Sequence, residues 1–247
     1  MLYIKTFENY DKRSFLNWLS GKFNQEIGNM LGSGLYGSVF EFGKKSKRVI
    51  KLTEKEDLDT YSTINKTING VVKVYSYGKT EVPKRFLLKR FGGETSNTIE
   101  TEGSYINLNK DGYIYYIIME RLYPNEELEN DIHDIGRIFI EFYEETQENT
   151  SGIPSLRLLF ENRDSMQILL NFSDYIQKNY PKESNKHLET LAQLIALFRK
   201  IGKNFDWMDI HPGQFAYDIK GEIKAHDLDN SYILAQDEVK NIIRESL

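Results

Sequence analysis

Leu31-Gly-Ser-Gly-Leu-Tyr-Gly-Ser-Val39, followed after a short turn by Arg48-Val-Ile-Lys-Leu52, is the stretch on which the reading of this chain turns. The first piece fills every fixed position of G-x-G-x-x-G-x-V, and the second carries one lysine, Lys51, at the end of an apolar run. Gly32, Gly34 and Gly37 have no Cβ, so a hairpin tip built on them can bring backbone N–H groups up to phosphate oxygens. Together the two pieces suit a nucleoside triphosphate, with Lys51 as the point charge that orients the α and β phosphates.

Taken alone, G-x-G-x-x-G fits a flexible hairpin tip equally well. The residues that follow it are more telling. A dinucleotide-binding fold uses the same glycines but must leave the loop as a helix. Here Ser38-Val-Phe-Glu-Phe42 alternates apolar with polar or small residues, and Gly43-Lys-Lys-Ser-Lys-Arg48 makes a polar turn into a second apolar run. That is strand, turn, strand, which excludes the dinucleotide reading.

Composition narrows the class. At 247 residues, with 40% apolar and 28% charged residues, the chain has material for one large globular domain or two lobes. It has no cysteine, so a disulfide framework and thiolate zinc sites are excluded, and a reducing compartment is compatible. Residues 1–10 lack the apolar run of a secretion signal and no window reaches a membrane span, so a cytoplasmic location is expected, including delivery into a host cytoplasm. The net charge of −5 argues against a general nucleic-acid binder, and the basic run 44–48 reads as a solvated turn.

In chain order, the spacing of Phe15, Leu16, Trp18, Leu19 and Phe23 predicts a short amphipathic helix within an N-terminal extension, residues 1–28. The nucleotide hairpin and the Lys51 strand open a first lobe, 29–121. Glu54 to Ile64 predicts one short helix. Val71 to Tyr77 predicts a strand ended by Gly78, Asp111-Gly112 a hairpin turn, and Tyr113 to Met119 a buried strand. From 122 to 247 the pattern is helical, with stripes over 130–145, 165–180 and 186–200. The fold class expected is α+β.

Past the last stripe stands Phe205-Asp-Trp-Met-Asp-Ile-His-Pro-Gly-Gln-Phe215, then a strand, a turn at Lys220-Gly221, and Ile223-Lys-Ala-His-Asp-Leu-Asp229. An aspartate, a carboxamide five residues on and a second aspartate 13 residues after that follow the spacing of a kinase catalytic loop and metal-binding turn. With the glycine hairpin and Lys51, the chain resembles the protein kinases. It is most similar to the short serine/threonine kinases carried by some bacteriophages, over about residues 29–232.

The resemblance implies a bilobal fold with an antiparallel N-lobe and a mostly helical, truncated C-lobe, using ATP and Mg²⁺. It implies Asp209 as catalytic aspartate, and Asp227, Gln214 and Asp229 at the metal, where hard oxygen ligands suit Mg²⁺. His211, which stands where many kinases have a phosphate-binding lysine, reads equally as a γ-phosphate contact or a loop-orienting group; His133, His187 and His226 read as structural. An acidic partner for Lys51 is implied on the helix after Leu52, with Asp59 favoured over Asp57, Glu56 and Glu54. The resemblance also lines an adenine pocket with Leu31, Val39, Val49 and Met119, and has the Glu120 carbonyl and the Leu122 N–H meet the adenine edge.

Three departures stand out: Trp207 for the usual histidine, Gln214 for asparagine, and Asp227-Leu-Asp229 for Asp-Phe-Gly. The lengths differ as well, since 88 residues separate Glu120 from Asp209 and only 20 follow Asp227. The activation segment and later helices of ordinary kinases are not expected, and substrate is expected to rest on the helices before Asp209 or on a partner. Three functions follow: a protein serine/threonine kinase that can autophosphorylate, a small-molecule kinase of the aminoglycoside or choline type, and a nucleotide-binding pseudokinase. The protein substrate and the oligomeric state are left open.

Overall fold

The computed structural model describes residues 13–34, 37–44, 47–54, 70–89, 95–101, 104–146, 156, 159, 165–201 and 212–226. The fold is α+β, with a five-stranded antiparallel sheet and, among the described residues, four α-helices. The chain divides into two compact units, one of Met1–Asn65 and Lys73–Arg121, the other of Lys66–Val72 and Leu122–Leu247.

The first unit begins with α1 (Ser14–Phe23), which ends where Asn24 turns left-handed at φ 50° and the Ser20 hydroxyl accepts the Ile27 amide at 2.9 Å. Four strands follow, β1 (Ile27–Gly34), β2 (Gly37–Phe42), β3 (Arg48–Thr53) and β4 (Val74–Glu81), and later β7 (Tyr113–Glu120) completes the sheet in the order β1-β2-β3-β7-β4. The expected strand, turn, strand after the glycines is therefore present. Between β4 and β7, β5 (Thr98–Thr101) and β6 (Ser104–Asn107) form a separate two-stranded sheet. Because side chains alternate across a pleated strand, Phe40, Phe42, Ile50, Leu52, Ile114 and Ile118 share one face. They form the core of this unit with Phe15, Leu16 and Leu19 of α1 and Ile99 and Ile106 of the small sheet.

Two expectations for this unit need correction. Gly78 does not end its strand: β4 runs on to Glu81, and Gly78 pairs with Tyr116, whose hydroxyl oxygen would lie 2.7 Å from an added Cβ. That glycine makes room for a cross-strand tyrosine rather than a turn. Asp111-Gly112 is a turn, with Gly112 at φ +80° and the Asn109 carboxamide oxygen accepting the Asp111 and Tyr113 amides. It does not close a hairpin, however, since β6 pairs with β5 and β7 with β3 and β4. The expected helix from Glu54 to Ile64 lies outside the described residues beyond Glu54.

The second unit holds α2 (Glu126–Thr146), α3 (Ser165–Asn179) and α4 (Ser184–Ile201), close to the three predicted stripes. The Asn125 side chain caps α2 by accepting the Leu128 amide at 2.9 Å. Ile135, Ile138, Phe139 and Phe142 of α2 pack on Phe172 and Ile176 of α3 and Leu191 of α4, with the Phe139 and Phe172 rings edge-on at 5.0 Å. After α4 come a 3-10 turn (Pro212–Gln214) and the hairpin of β8 (Phe215–Tyr217) and β9 (Ile223–Ala225). Among the described residues no helix is long and apolar enough to cross a membrane.

Candidate functional site

In the first unit the register of the sheet determines which side chains meet. Cross-strand partners share a face, and Gly32 pairs with Val39, Val39 with Lys51, Lys51 with Ile117 and Ile117 with Tyr77, a single row through all five strands. The next row runs Glu41, Val49, Met119, Val74, and on the other side Gly37 pairs with Thr53. Six predicted nucleotide-binding residues, Gly32, Gly37, Val39, Val49, Lys51 and Met119, thus lie on one face, opposite the one that packs on α1 and the small sheet. Val49, Ile117 and Met119 are buried there and Lys51 is half-buried. Glu41 at this face is held by Arg121 at 2.9 Å.

The glycines of the motif are not equivalent. A Cβ on Gly37 would stand 2.2 Å from the backbone carbonyl oxygen of Leu52, so this glycine lets β2 lie close on β3. At Gly32, among the described residues, nothing lies within 4 Å of an added Cβ. Gly34 pairs with Gly37 across the tip. Leu31 falls in the register shift between Met30 and Gly32 and is 42% exposed.

Where the strand that carries Met119 ends, the amides of Glu120, Arg121 and Tyr123 are paired. Glu120 N–H donates to the Lys73 carbonyl at 2.8 Å, Arg121 N–H to the Lys47 carbonyl at 3.1 Å, and Tyr123 N–H to the Tyr217 carbonyl at 2.8 Å. Among the described residues the Leu122 amide between them has no partner.

In the second unit, Gln214 closes the 3-10 turn, and its carbonyl accepts the His226 amide at 2.8 Å. The β8–β9 hairpin therefore brings together the residue read as a metal ligand and the residue immediately before Asp227. Three features hold so short a hairpin, the first being the antiparallel bridge of Tyr123 to Tyr217 on β8. Val71 bridges Ala225 in parallel, Val72 N–H donates to the Ala225 carbonyl at 2.9 Å, and Ala225 N–H donates to the Gly70 carbonyl at 3.0 Å. At the turn, Asp218 Oδ1 accepts the Lys220 and Glu222 amides at 2.8 and 3.0 Å, and its Oδ2 lies 3.3 Å from Lys224 Nζ. Burial pushes the Asp218 carboxyl up, but those two amides and the ammonium outweigh it and hold its pKa below the ordinary carboxylate value.

Sequence reasoning missed Asp218, although an aspartate just before Lys220-Gly221 is a recognisable side-chain turn signal. It also missed Asp131, whose Oδ1 lies 2.5 Å from His187 Nδ1 between α2 and α4, both residues buried, while among the described residues Asp131 Oδ2 has no hydrogen-bond partner. His187 is thus a buried structural histidine, whereas His133 is exposed on α2. Asp209, His211, Asp227, Asp229 and the acidic candidates Glu56, Asp57 and Asp59 lie outside the described residues, as does Trp207. Among the described residues no group of three or more His, Cys, Asp or Glu could hold a metal ion. No model of a known protein family matches this sequence, and no curated protein matches it.

Proposed function

We propose that the chain is a phosphotransferase of protein kinase-like organisation that moves the γ-phosphoryl group of ATP, with Mg²⁺, to serine or threonine hydroxyls of a protein. The observation that carries the reading is the row Gly32, Val39, Lys51, Ile117, Tyr77: a glycine hairpin at the edge of an antiparallel sheet with one lysine two strands away on the same face. In this reading Lys51 orients the α and β phosphates. Val39, Val49 and Met119 offer an apolar surface to the base, and the Leu122 N–H is available to its edge. Asp209 accepts or orients the acceptor proton, and attack of the hydroxyl oxygen on the γ-phosphorus releases ADP. Gln214, Asp227 and Asp229 are the residues that would hold Mg²⁺, which when bound neutralises phosphate charge. The contact between Gln214 and His226 supports this role, since it sets Gln214 beside the residue that precedes Asp227 in the sequence.

The acidic start of α2 gives no support to a cationic small-molecule acceptor. Glu126, Glu127 and Glu129 sit in the first helical turn, where the helix dipole favours carboxylates irrespective of function, and Glu127 is paired with Lys186 at 3.2 Å. The test is transfer from labelled ATP, followed by mass spectrometry of the chain. Lys51→Ala and Asp209→Asn are each expected to abolish incorporation while leaving the unfolding transition in place. Incorporation retained in both variants would overturn the proposal, and nucleotide binding without turnover in the unsubstituted chain would replace it with the pseudokinase reading.

A further inference from the structure

The small β5–β6 sheet lies against the inner strand of the glycine hairpin. Ser38, next to Gly37, is 1% exposed, and its hydroxyl shares a hydrogen bond of 2.6 Å with the Ser104 hydroxyl of β6. Ser104 is fixed in turn, since its carbonyl accepts the Thr101 hydroxyl at 3.1 Å and it pairs with Thr101 across the small sheet. Beneath this contact Ile99 and Ile106 share the core with Phe40 and Leu52. The two strands of the hairpin are held unequally. Inner strand β2 has β3 on one side, against which Gly37 is tightly packed, and Ser104 below. Outer strand β1 is a sheet edge with two register shifts and an exposed Leu31, and its glycine end is positioned through Ser33 on Ser38 and Gly34 on Gly37. Whatever fixes Ser38 therefore fixes the height at which the Gly32 backbone is presented.

We infer that the β5–β6 sheet braces the glycine hairpin through the Ser38–Ser104 hydrogen bond, and that Ser104 is a positioning residue for the nucleotide phosphates. The second clause rests on the function proposed above. Ser104 does not touch the nucleotide in this scheme, so its loss weakens nucleotide binding and leaves the rate at saturation alone.

The test compares the unsubstituted chain with Ser104→Ala, Ser104→Thr and the double variant Ser38→Ala/Ser104→Ala. Hydrogen exchange without nucleotide, titration with a magnesium complex of a non-hydrolysable ATP analogue, and KM and kcat for ATP are measured on each. In Ser104→Ala and in the double variant, exchange of the hairpin amides is expected to quicken about tenfold, with β4 and β7 unchanged, and Kd and KM to rise about three- to tenfold at constant kcat. Ser104→Thr keeps the hydroxyl and is expected to behave as the unsubstituted chain. A double variant with normal exchange would overturn the brace, because the single-variant effect would then come from an orphaned buried hydroxyl. So would unchanged hairpin exchange in all variants. If the unsubstituted chain binds no nucleotide while Ser104→Ala still loosens the hairpin, the brace stands and the functional proposal fails.

Discussion

The two ends of the glycine motif make opposite predictions when each glycine becomes alanine. A Cβ at Gly37 would lie 2.2 Å from the Leu52 carbonyl oxygen and 3.2 Å from the Leu52 carbonyl carbon and from Thr53 Cα, all backbone atoms of β3. Real Cβ atoms stay beyond about 3 Å of such neighbours, so β2 must lift from β3 by roughly 1 Å, and forced expansion of this kind costs about 1–3 kcal/mol. For a chain of this size each kcal/mol shifts the midpoint by about 2–4 °C, so Gly37→Ala should unfold about 2–12 °C lower in calorimetry. Gly32→Ala places its Cβ in open space and should leave the midpoint within about 0.5 kcal/mol of the unsubstituted chain. If phosphates approach that backbone, the added methyl should instead raise Kd for a magnesium–ATP analogue at least tenfold, or about 1.4 kcal/mol. An unchanged midpoint in Gly37→Ala would refute the steric account of the third glycine. Unchanged nucleotide affinity in Gly32→Ala would refute the phosphate role of the first.

Five further variants, in three comparisons, probe the second unit. With its folded pKa depressed, Asp218 contributes stability that is fully present above its unfolded pKa of about 3.9 and is lost as pH falls through the folded value. Asp218→Asn should therefore be less stable by about 1.5–3 kcal/mol in urea at pH 7, with the gap closing below about pH 4; a constant gap down to pH 2 would contradict the assignment. His187→Ala leaves a buried Asp131 carboxylate with neither oxygen partnered and should cost about 3–5 kcal/mol in urea unfolding. Asp131→Ala leaves an imidazole that can be neutral and should cost less, so the reverse order would show that the pair is not held as described. Gly70 stands at φ +93° with Leu197 Cδ1 2.8 Å from an added Cβ, whereas Gly221 stands at φ +79° in open space. Gly221→Ala should cost about 1–2 kcal/mol of backbone strain and Gly70→Ala about 1 kcal/mol more; equal midpoints would remove the packing role of Gly70.

What was legible in the sequence followed from periodicity over short spans. Alternation across Ser38–Phe42 and the apolar run over Arg48–Leu52 identified two strands, and Ile135, Ile138, Phe139 and Phe142 fell on one stripe of α2 because each helix buries a single face. Gly78 was misread because a glycine inside a strand looks locally like one that ends it; the difference is Tyr116, 38 positions away, leaning across the ladder. The turn at Asp111-Gly112 was recognised by its own chemistry, but the strand partners on either side of it are set by pairings of long sequence separation that turn residues do not encode. The cross-strand row through Lys51 has the same origin: each member was readable, and the row exists only through register.

The least legible part of the candidate site is what holds the end of β9 in place. Strands of three residues cannot support a hairpin alone, and β8 and β9 are each that short. Their stability has to come from outside, and two of the sources besides the Tyr123–Tyr217 bridge have very different signatures. Asp218 is local, four positions from the Glu222 amide it accepts, and has a sequence signal. The other, Gly70-Val-Val72, is about 150 positions from the Ala225 it pairs with, and its residues read as the start of a strand in the opposite unit because Val71 and Val72 suit any sheet. The consequence is that a segment outside every kinase-like motif fixes the end of β9. If the proposed function holds, a substitution at Gly70 should therefore disturb metal-dependent turnover more than a substitution of equal thermal cost at Gly221, since only Gly70 supplies the carbonyl that receives the Ala225 amide.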